Sequence, residues 1–154
     1  MAKEIERKFL VDMALLKTLP QGKRIVQGYV PTQDLTVVRV RIMADQAFLT
    51  LKGANQGMTR TEFEYAVPVE DAEQMLEQFC QGQMIDKVRY CIQFGQHIWE
   101  LDVFGGANQG VVVAEVELQS ETEEPDLPEW VTTEVTGDPR YYNSALMEHP
   151  FSEW

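Results

Sequence analysis

No run of apolar residues in this 154-residue chain approaches the ~20 that a membrane-spanning helix needs, so no membrane segment is expected. Cysteine is scarce. Cys80 and Cys91 lack metal-ligand spacing, which argues against a zinc-type site and predicts two reduced thiols in a cytoplasmic protein. Histidine is as scarce. His97 and His149 have no second ligand at metal spacing and are expected at the surface or at strand ends. Basic residues are few, 13 against 25 acidic for a net charge of -12, which disfavours nucleic acid or an anionic membrane as partner. No Gly-x-x-x-x-Gly-Lys loop occurs, so a bound phosphate would be gripped by side chains and not by backbone N–H groups. Charged, patterned residues begin at Lys3, so no signal or transit segment is expected ahead of the fold.

What is present is alternation. The hydrophobic content of 44% supports a packed core, and the length suits a single domain over residues 1–154. Residues 3–11 alternate Glu4, Glu6 and Lys8 against Ile5, Arg7 and Phe9, the period of a strand. The same period recurs at 24–30, 36–43, 47–52, 59–67, 84–94, 97–104 and 111–119, giving eight strands joined mostly by hairpins. Asp12 caps a short helix or turn. Residues 69–81 change to helical spacing through Ala72, Met75, Leu76 and Phe79, with acids in the first turn and Gly82 at the end. The acidic, Pro-containing stretch 120–130 reads as a loop. Asp138-Pro139 opens a short terminal helix with Tyr141, Leu146 and Met147 as docking residues. The pentapeptide Gly-Ala-Asn-Gln-Gly occurs at 53–57 and again at 106–110, which is better explained by shared turn chemistry than by duplication.

The polar positions carry the functional signal. Glu4, Glu6, Glu62, Glu64, Glu100, Asp102, Glu115 and Glu117 fall in same-face pairs, as do Arg39/Arg41 and Lys87/Arg89; Lys8 and Lys52 share the phase. Same-face neighbours sit ~6.6 Å apart at ~3.3 Å per residue. Like charges at that distance repel by ~2.5 kcal/mol at an effective dielectric of ~20. The opposite faces (Ile5/Phe9, Val38/Val40/Ile42, Phe63/Tyr65/Val67 and Val116/Leu118) are apolar and need cover. Turning the apolar faces outward beneath helices leaves a charged lumen. Six bases and eight acids then lie inside, a balance of -2, against seven and seventeen outside, a balance of -10. Bases concentrated within an acidic shell suit a small, highly anionic substrate accompanied by hard divalent cations. Arg7 and Lys3 point away from this lumen and are expected to be solvated, while Tyr29, Trp99 and Tyr142 read as packing groups.

The ordered set Glu4-x-Glu6-x-Lys8, Arg39-x-Arg41, Lys52 in Leu-Thr-Leu-Lys, Glu62-x-Glu64, Lys87-x-Arg89, Glu100-x-Asp102 and Glu115-x-Glu117 resembles the CYTH superfamily, the triphosphate tunnel metalloenzymes. The ending from Asp138 to Leu146 resembles the terminal helix of short bacterial members. The resemblance implies an all-β dominated (α+β) fold, an eight-stranded antiparallel β-barrel tunnel with helices packed on the outside. It implies that Lys8, Arg39, Arg41, Lys52, Lys87 and Arg89 hold phosphates. Glu4, Glu6, Glu115 and Glu117, with Glu62, Glu64 and Asp102, become the metal or water-positioning groups for Mg2+ or Mn2+, two ions being expected. Lys8, Glu64, Arg89 and Glu117 are the residues expected to act directly in catalysis. The activity implied is hydrolysis of inorganic triphosphate to pyrophosphate and phosphate in a cytoplasmic monomer or homodimer. The alternatives are ATP cyclisation, hydrolysis of ATP or thiamine triphosphate, and non-catalytic polyphosphate binding. The His-Phe pair that class IV cyclases place ahead of the signature is missing, since Met1-Ala2-Lys3 stands there.

Overall fold

The computed structural model describes residues 3–80 and 84–154. Nine strands are seen: β1 (Lys3–Val11), β2 (Lys23–Val30), β3 (Val37–Met43), β4 (Gln46–Lys52), β5 (Thr59–Val67), β6 (Ile85–Phe94), β7 (His97–Phe104), β8 (Val112–Glu117) and β9 (Val131–Glu134). Two α-helices, α1 (Val69–Phe79) and α2 (Asn143–Glu148), join them. Every pairing is antiparallel, in the order β5-β4-β3-β2-β6-β7-β8-β1, and the ring closes where Lys3–Ile5 of β1 meet Thr59–Thr61 of β5. This is the eight-stranded closed antiparallel barrel expected from the alternation. Closure is partial along β1, because its far end leaves β5 and pairs with β9 at Phe9 and Val11. The ninth strand was not foreseen: four residues, half of them threonine, show no readable period. It forms because the far half of β1 otherwise presents an unpaired edge.

The wall is covered in three different ways. Over β2, β3 and β4 lies α1, packing Ala72 and Leu76 with Cys80 onto Val40 and Ala47. Gly28 permits this approach, since a Cβ there would stand 2.9 Å from Cys80 Cβ and Leu76 Cδ2. Phe79, expected in the packed stripe, is 54% exposed, because the helix ends there and Cys80 takes the last buried position. Gly82, expected as the helix terminator, lies outside the described residues.

On the other side, Phe9, Trp99, Leu101, Ala114, Val116 and Leu118 are covered by the chain that leads into β9, with Trp130 edge-on to Trp99 at 5.9 Å. Arg7 fastens this cover. Its guanidinium donates to both oxygens of Glu134 at 2.8 and 2.9 Å and lies over the Phe9 ring. It points away from the lumen as expected, but as a mostly buried clamp and not as a solvated charge. The outer face of β5 and the Leu51 end of β4 are not covered. Leu51, Phe63 and Tyr65 remain exposed, against the expectation that the Phe63/Tyr65 face is buried by helices.

Helix α2 does not pack on the outside. Leu146, fully buried, meets Ile85, Phe104, Val111 and Val113, and Leu10 and Tyr29 pack beside it. Ile85, Phe104, Val113 and Leu10 carry the same phase as Lys87, Asp102, Glu115 and Lys8, so α2 stops one end of the barrel from within. The second Gly-Ala-Asn-Gln-Gly loop anchors this stopper, Asn108 donating to the Leu146 carbonyl and accepting from the Phe151 N–H. The first loop instead contributes Asn55 and Gly57 to the cavity described next. Identical letters thus serve two different purposes, and only the second copy winds into a 3-10 turn, at Gly106–Asn108.

Candidate active site

Strand alternation projects one polar row from each wall strand into a cavity of about 240 Å³. It is lined by Glu4, Glu6 and Lys8 of β1, Arg39 and Arg41 of β3, Lys52 of β4, Glu62 and Glu64 of β5, Lys87 and Arg89 of β6, Glu100 of β7, and Glu115 and Glu117 of β8. Register decides who stands beside whom. Glu6 lies directly opposite Glu117, and Lys8 and Glu100 both lie opposite Glu115. The acids of β7, β8 and β1 therefore form one continuous carboxylate bank. In the closed ring β3 lies four strands from β8, so Arg39 and Arg41 face Glu115 and Glu117 across the lumen.

Opposite charges already find each other. Lys52 reaches Glu4 at 3.2 Å and Glu62 at 3.6 Å, Arg39 reaches Glu64 at 3.3 Å, and Lys8 reaches Glu115 at 3.9 Å. Thr50 donates to Glu64 from below at 3.0 Å. Arg41 differs: among the described residues it has no carboxylate partner, and its Nε–H donates to Gln27 Oε1 at 2.8 Å. Burial, then the neighbouring guanidinium groups of Arg39 and Arg89, draw Arg41 down to about 10.

Asp102 does not line the cavity. It is 1% exposed and accepts from Lys87 at 2.7 Å and from both Nε–H and an Nη–H of Arg89 at 2.8 and 2.9 Å. Those two cations occupy its oxygens. Burial pulls Lys87 down to about 7 in spite of Asp102, with Arg89 and Arg41 adding to the fall. Burial also pushes Glu6 well above the usual carboxylate range, and the adjacent Glu115 and Glu4 charges push it further. Glu115 is held low in spite of its burial, by Lys8, by the hydrogen bond from Glu6, and by Arg89. Of the two, Glu6 is therefore the weaker acid and Glu115 the stronger.

The carboxylate bank suits a hard divalent cation. All its donors are oxygens, and the Glu115 and Glu4 charges that add to burial in pushing Glu6 upward are a repulsion that a cation relieves. Among the described residues no ready-made cage of three acidic, His or Cys side chains occurs.

Sequence reasoning left several lining residues unassigned. Tyr29 has the inward phase of β2 and lines the cavity, while Gln27 on β2 and Thr50 on β4 share that phase but lie fully buried beneath it, so the phase itself could have found all three. Arg60 follows from the same count on β5. Tyr142 and Asn143 could not be found this way, because α2 reaches the lumen only through the fold. Tyr29 and Tyr142, read as packing groups, both face the cavity. Trp99 does pack, fully buried. His97 opens β7 and contacts Glu123, and His149 ends α2.

The CYTH domain model matches residues 2–142. This chain belongs to the CYTH family. It is 44% identical over 154 residues to an inorganic triphosphatase of Acetivibrio thermocellus, covering 100% of this chain and 99% of that protein. It is 38% identical over 152 residues to an inorganic triphosphatase of Nitrosomonas europaea, covering 93% and 95%. Among solved structures, the inorganic triphosphatase NE1496 matches with a TM-score of 0.62 and 35% identity over 93% of this chain and 96% of that one. The PH1012 protein from Pyrococcus horikoshii OT3, at 20% identity and a TM-score of 0.62 over 77% and 79%, shares the fold. None of the described helices of this CYTH protein is long and apolar enough to cross a membrane.

Proposed function

We propose that this CYTH protein hydrolyses inorganic triphosphate to pyrophosphate and phosphate, with divalent cation bound beside the substrate. One observation carries the reading: seven of the thirteen bases of an acidic chain line a single cavity, facing a continuous bank of carboxylates. The two inorganic triphosphatases at 44% and 38% identity support the choice of substrate.

Glu4, Glu6, Glu115 and Glu117 would hold Mg2+ or Mn2+, with Glu62 and Glu64 near enough in phase to add oxygens. When bound, the cation neutralises part of the phosphate charge and assists the attacking water. Lys8, Arg39, Arg41, Lys52, Lys87 and Arg89 grip the phosphate oxygens, the arginines with two parallel N–H donors each. Their fixed positions favour the charge that builds on the leaving pyrophosphate as the bridging P–O bond breaks. Glu64 is oriented by Thr50 and Arg39 through Oε2, which leaves Oε1 to accept the proton of the attacking water. Asp102 positions Lys87 and Arg89 from behind.

The test is product analysis with tripolyphosphate, ATP and thiamine triphosphate, each with Mg2+, with Mn2+ and with EDTA. Tripolyphosphate should be turned over fastest, to equimolar phosphate and pyrophosphate, and EDTA should abolish turnover. Undiminished turnover in EDTA removes the cation from the mechanism, and cyclic product from ATP would replace the assignment altogether. Lys8→Ala and Glu117→Ala should each lower the rate by roughly two or more orders of magnitude without unfolding the barrel.

A further inference from the structure

Arg41, which has no carboxylate partner among the described residues, and Lys87, which shares its partner Asp102 with Arg89, are tied together beneath the cavity by two amides. Gln27 is fully buried on β2, between β3 and β6. Its Oε1 accepts from Arg41 Nε–H at 2.8 Å. Its Nε2 donates to the Tyr29 hydroxyl at 2.7 Å and to Asn143 Oδ1 at 3.3 Å. Asn143 Oδ1 in turn accepts from Lys87 Nζ at 2.8 Å.

Neither amide is free to turn over. Arg41 and Lys87 have only N–H groups to offer, so each amide must present its oxygen to its cation. Turning Gln27 sets N–H against N–H at Arg41 and oxygen against oxygen at Asn143. The chain Arg41–Gln27–Asn143–Lys87 therefore has one arrangement, and it spans β3, β2, α2 and β6. It also fixes Tyr29, whose hydroxyl oxygen accepts from Gln27 and whose own proton is turned toward other acceptors. Tyr29 lines the cavity.

We propose that Gln27 and Asn143 are positioning residues that hold Arg41 and Lys87 in register for the phosphate chain and turn the Tyr29 hydroxyl proton toward it. This rests on the triphosphate reading only for the identity of the ligand. The relay links the terminal helix to the cation rows, so the barrel is not competent for tight phosphate binding until α2 is seated. The structure explains why an asparagine stands at the start of α2. It is the position from which a neutral oxygen reaches both an ammonium and an amide without adding a charge to the cationic wall.

Two measurements test it. The first needs no substrate: the Arg41 Nε–H resonance in 15N NMR. It should be sharp and slow to exchange in the wild-type protein and in Gln27→Glu, which keeps the acceptor, and shifted and fast-exchanging in Gln27→Met. A resonance indifferent to Gln27→Met overturns the relay whether or not the chain is a triphosphatase.

The second is tripolyphosphate affinity by calorimetry in metal-free buffer, below the melting temperature of every variant. Asn143→Leu should weaken binding by roughly ten- to a hundredfold, the cost of a displaced binding group. Asn143→Ser keeps a neutral acceptor and should recover part of the affinity, binding between Asn143→Leu and wild type. Tyr29→Phe should weaken binding about fivefold, as loss of one hydrogen bond predicts, and should lower the melting temperature as well, because the buried Gln27 Nε2 loses an acceptor. Equal losses for Asn143→Leu and Asn143→Ser, or Asn143→Leu binding as wild type does, would refute the positioning role. Failure of the wild-type protein to bind tripolyphosphate would instead count against the substrate, and the NMR arm would still decide the relay.

Discussion

Asp102 offers the sharpest separation of roles. Sequence pattern places it with the metal-binding acids, yet its oxygens are taken by Lys87 at 2.7 Å and Arg89 at 2.8 and 2.9 Å, away from the lumen. Its side chain and that of Lys87 are each 1% exposed. Replacing it with alanine strands two cations in a poorly solvated pocket. Removing one partner of a buried ion pair costs ~3–5 kcal/mol. For a chain of this size each kcal/mol shifts the melting temperature by ~2–4 °C, so Asp102→Ala should lower it by ~6–20 °C. The fall belongs to the fold, and the cation concentration for half-maximal activity should stay within about twofold of wild type, since no donor has been lost from the carboxylate bank. Thermal melts by circular dichroism, run beside Mn2+ and Mg2+ titrations of tripolyphosphate turnover, give both numbers. A melting temperature unchanged within 2 °C, with half-saturation raised about tenfold or more, would show that Asp102 is a metal ligand and that the buried ion triad is not its role.

Three further outcomes follow from the wall. Trp130→Ala opens the cover over Trp99 and should cost ~3–5 kcal/mol in urea unfolding; a loss under 1 kcal/mol would mean that the chain entering β9 does not seal that face. Gly28→Ala pushes a methyl to 2.9 Å from Cys80 and Leu76 and should destabilise by ~1–3 kcal/mol as α1 is lifted, read by the same denaturation curve; a neutral result would contradict the close helix approach. Glu134 is held below the usual carboxylate range, first by the hydrogen bonds from Arg7 and then by Thr136. Its contribution is therefore complete above the unfolded value of about 4.3 and is lost as pH falls through the lower folded value. Melting temperatures between pH 5 and 3 should fall less steeply in Glu134→Gln than in the wild-type protein, and parallel slopes would exclude the Arg7 clamp as an acid-sensitive element.

Much of the site was legible because strand period is local. A same-face count on β1, β3, β4, β5, β6 and β8 suffices to place Lys8, Arg39, Lys52, Glu62, Lys87 and Glu115 on one wall. Such a count assigns phase and not partners. It treats Asp102 like Glu100, its same-face neighbour, although one is a buried counter-ion and the other lines the cavity. The difference arises from depth along the barrel axis, where α2 and the Phe104–Val113–Leu146 cluster exclude water around Asp102 and Lys87. Arg7 likewise shows outward phase, but its solvent is displaced by Glu134 and Phe9, which arrive from 127 residues away and from the same strand respectively.

Taken by itself, the sequence determined the eight wall strands, their polar phase, the scarcity that makes each base informative, and the motif order shared with the CYTH family. These are properties of neighbours in the chain, where alternation and turn chemistry act. Only the tertiary structure decided that β2 lies against β6, that β9 completes β1, and that α2 enters the barrel to bring Asn143 to Lys87 and Gln27. Those outcomes depend on which apolar faces remain uncovered once the ring has closed. That is a property of the assembled surface, and no segment of the chain carries it alone.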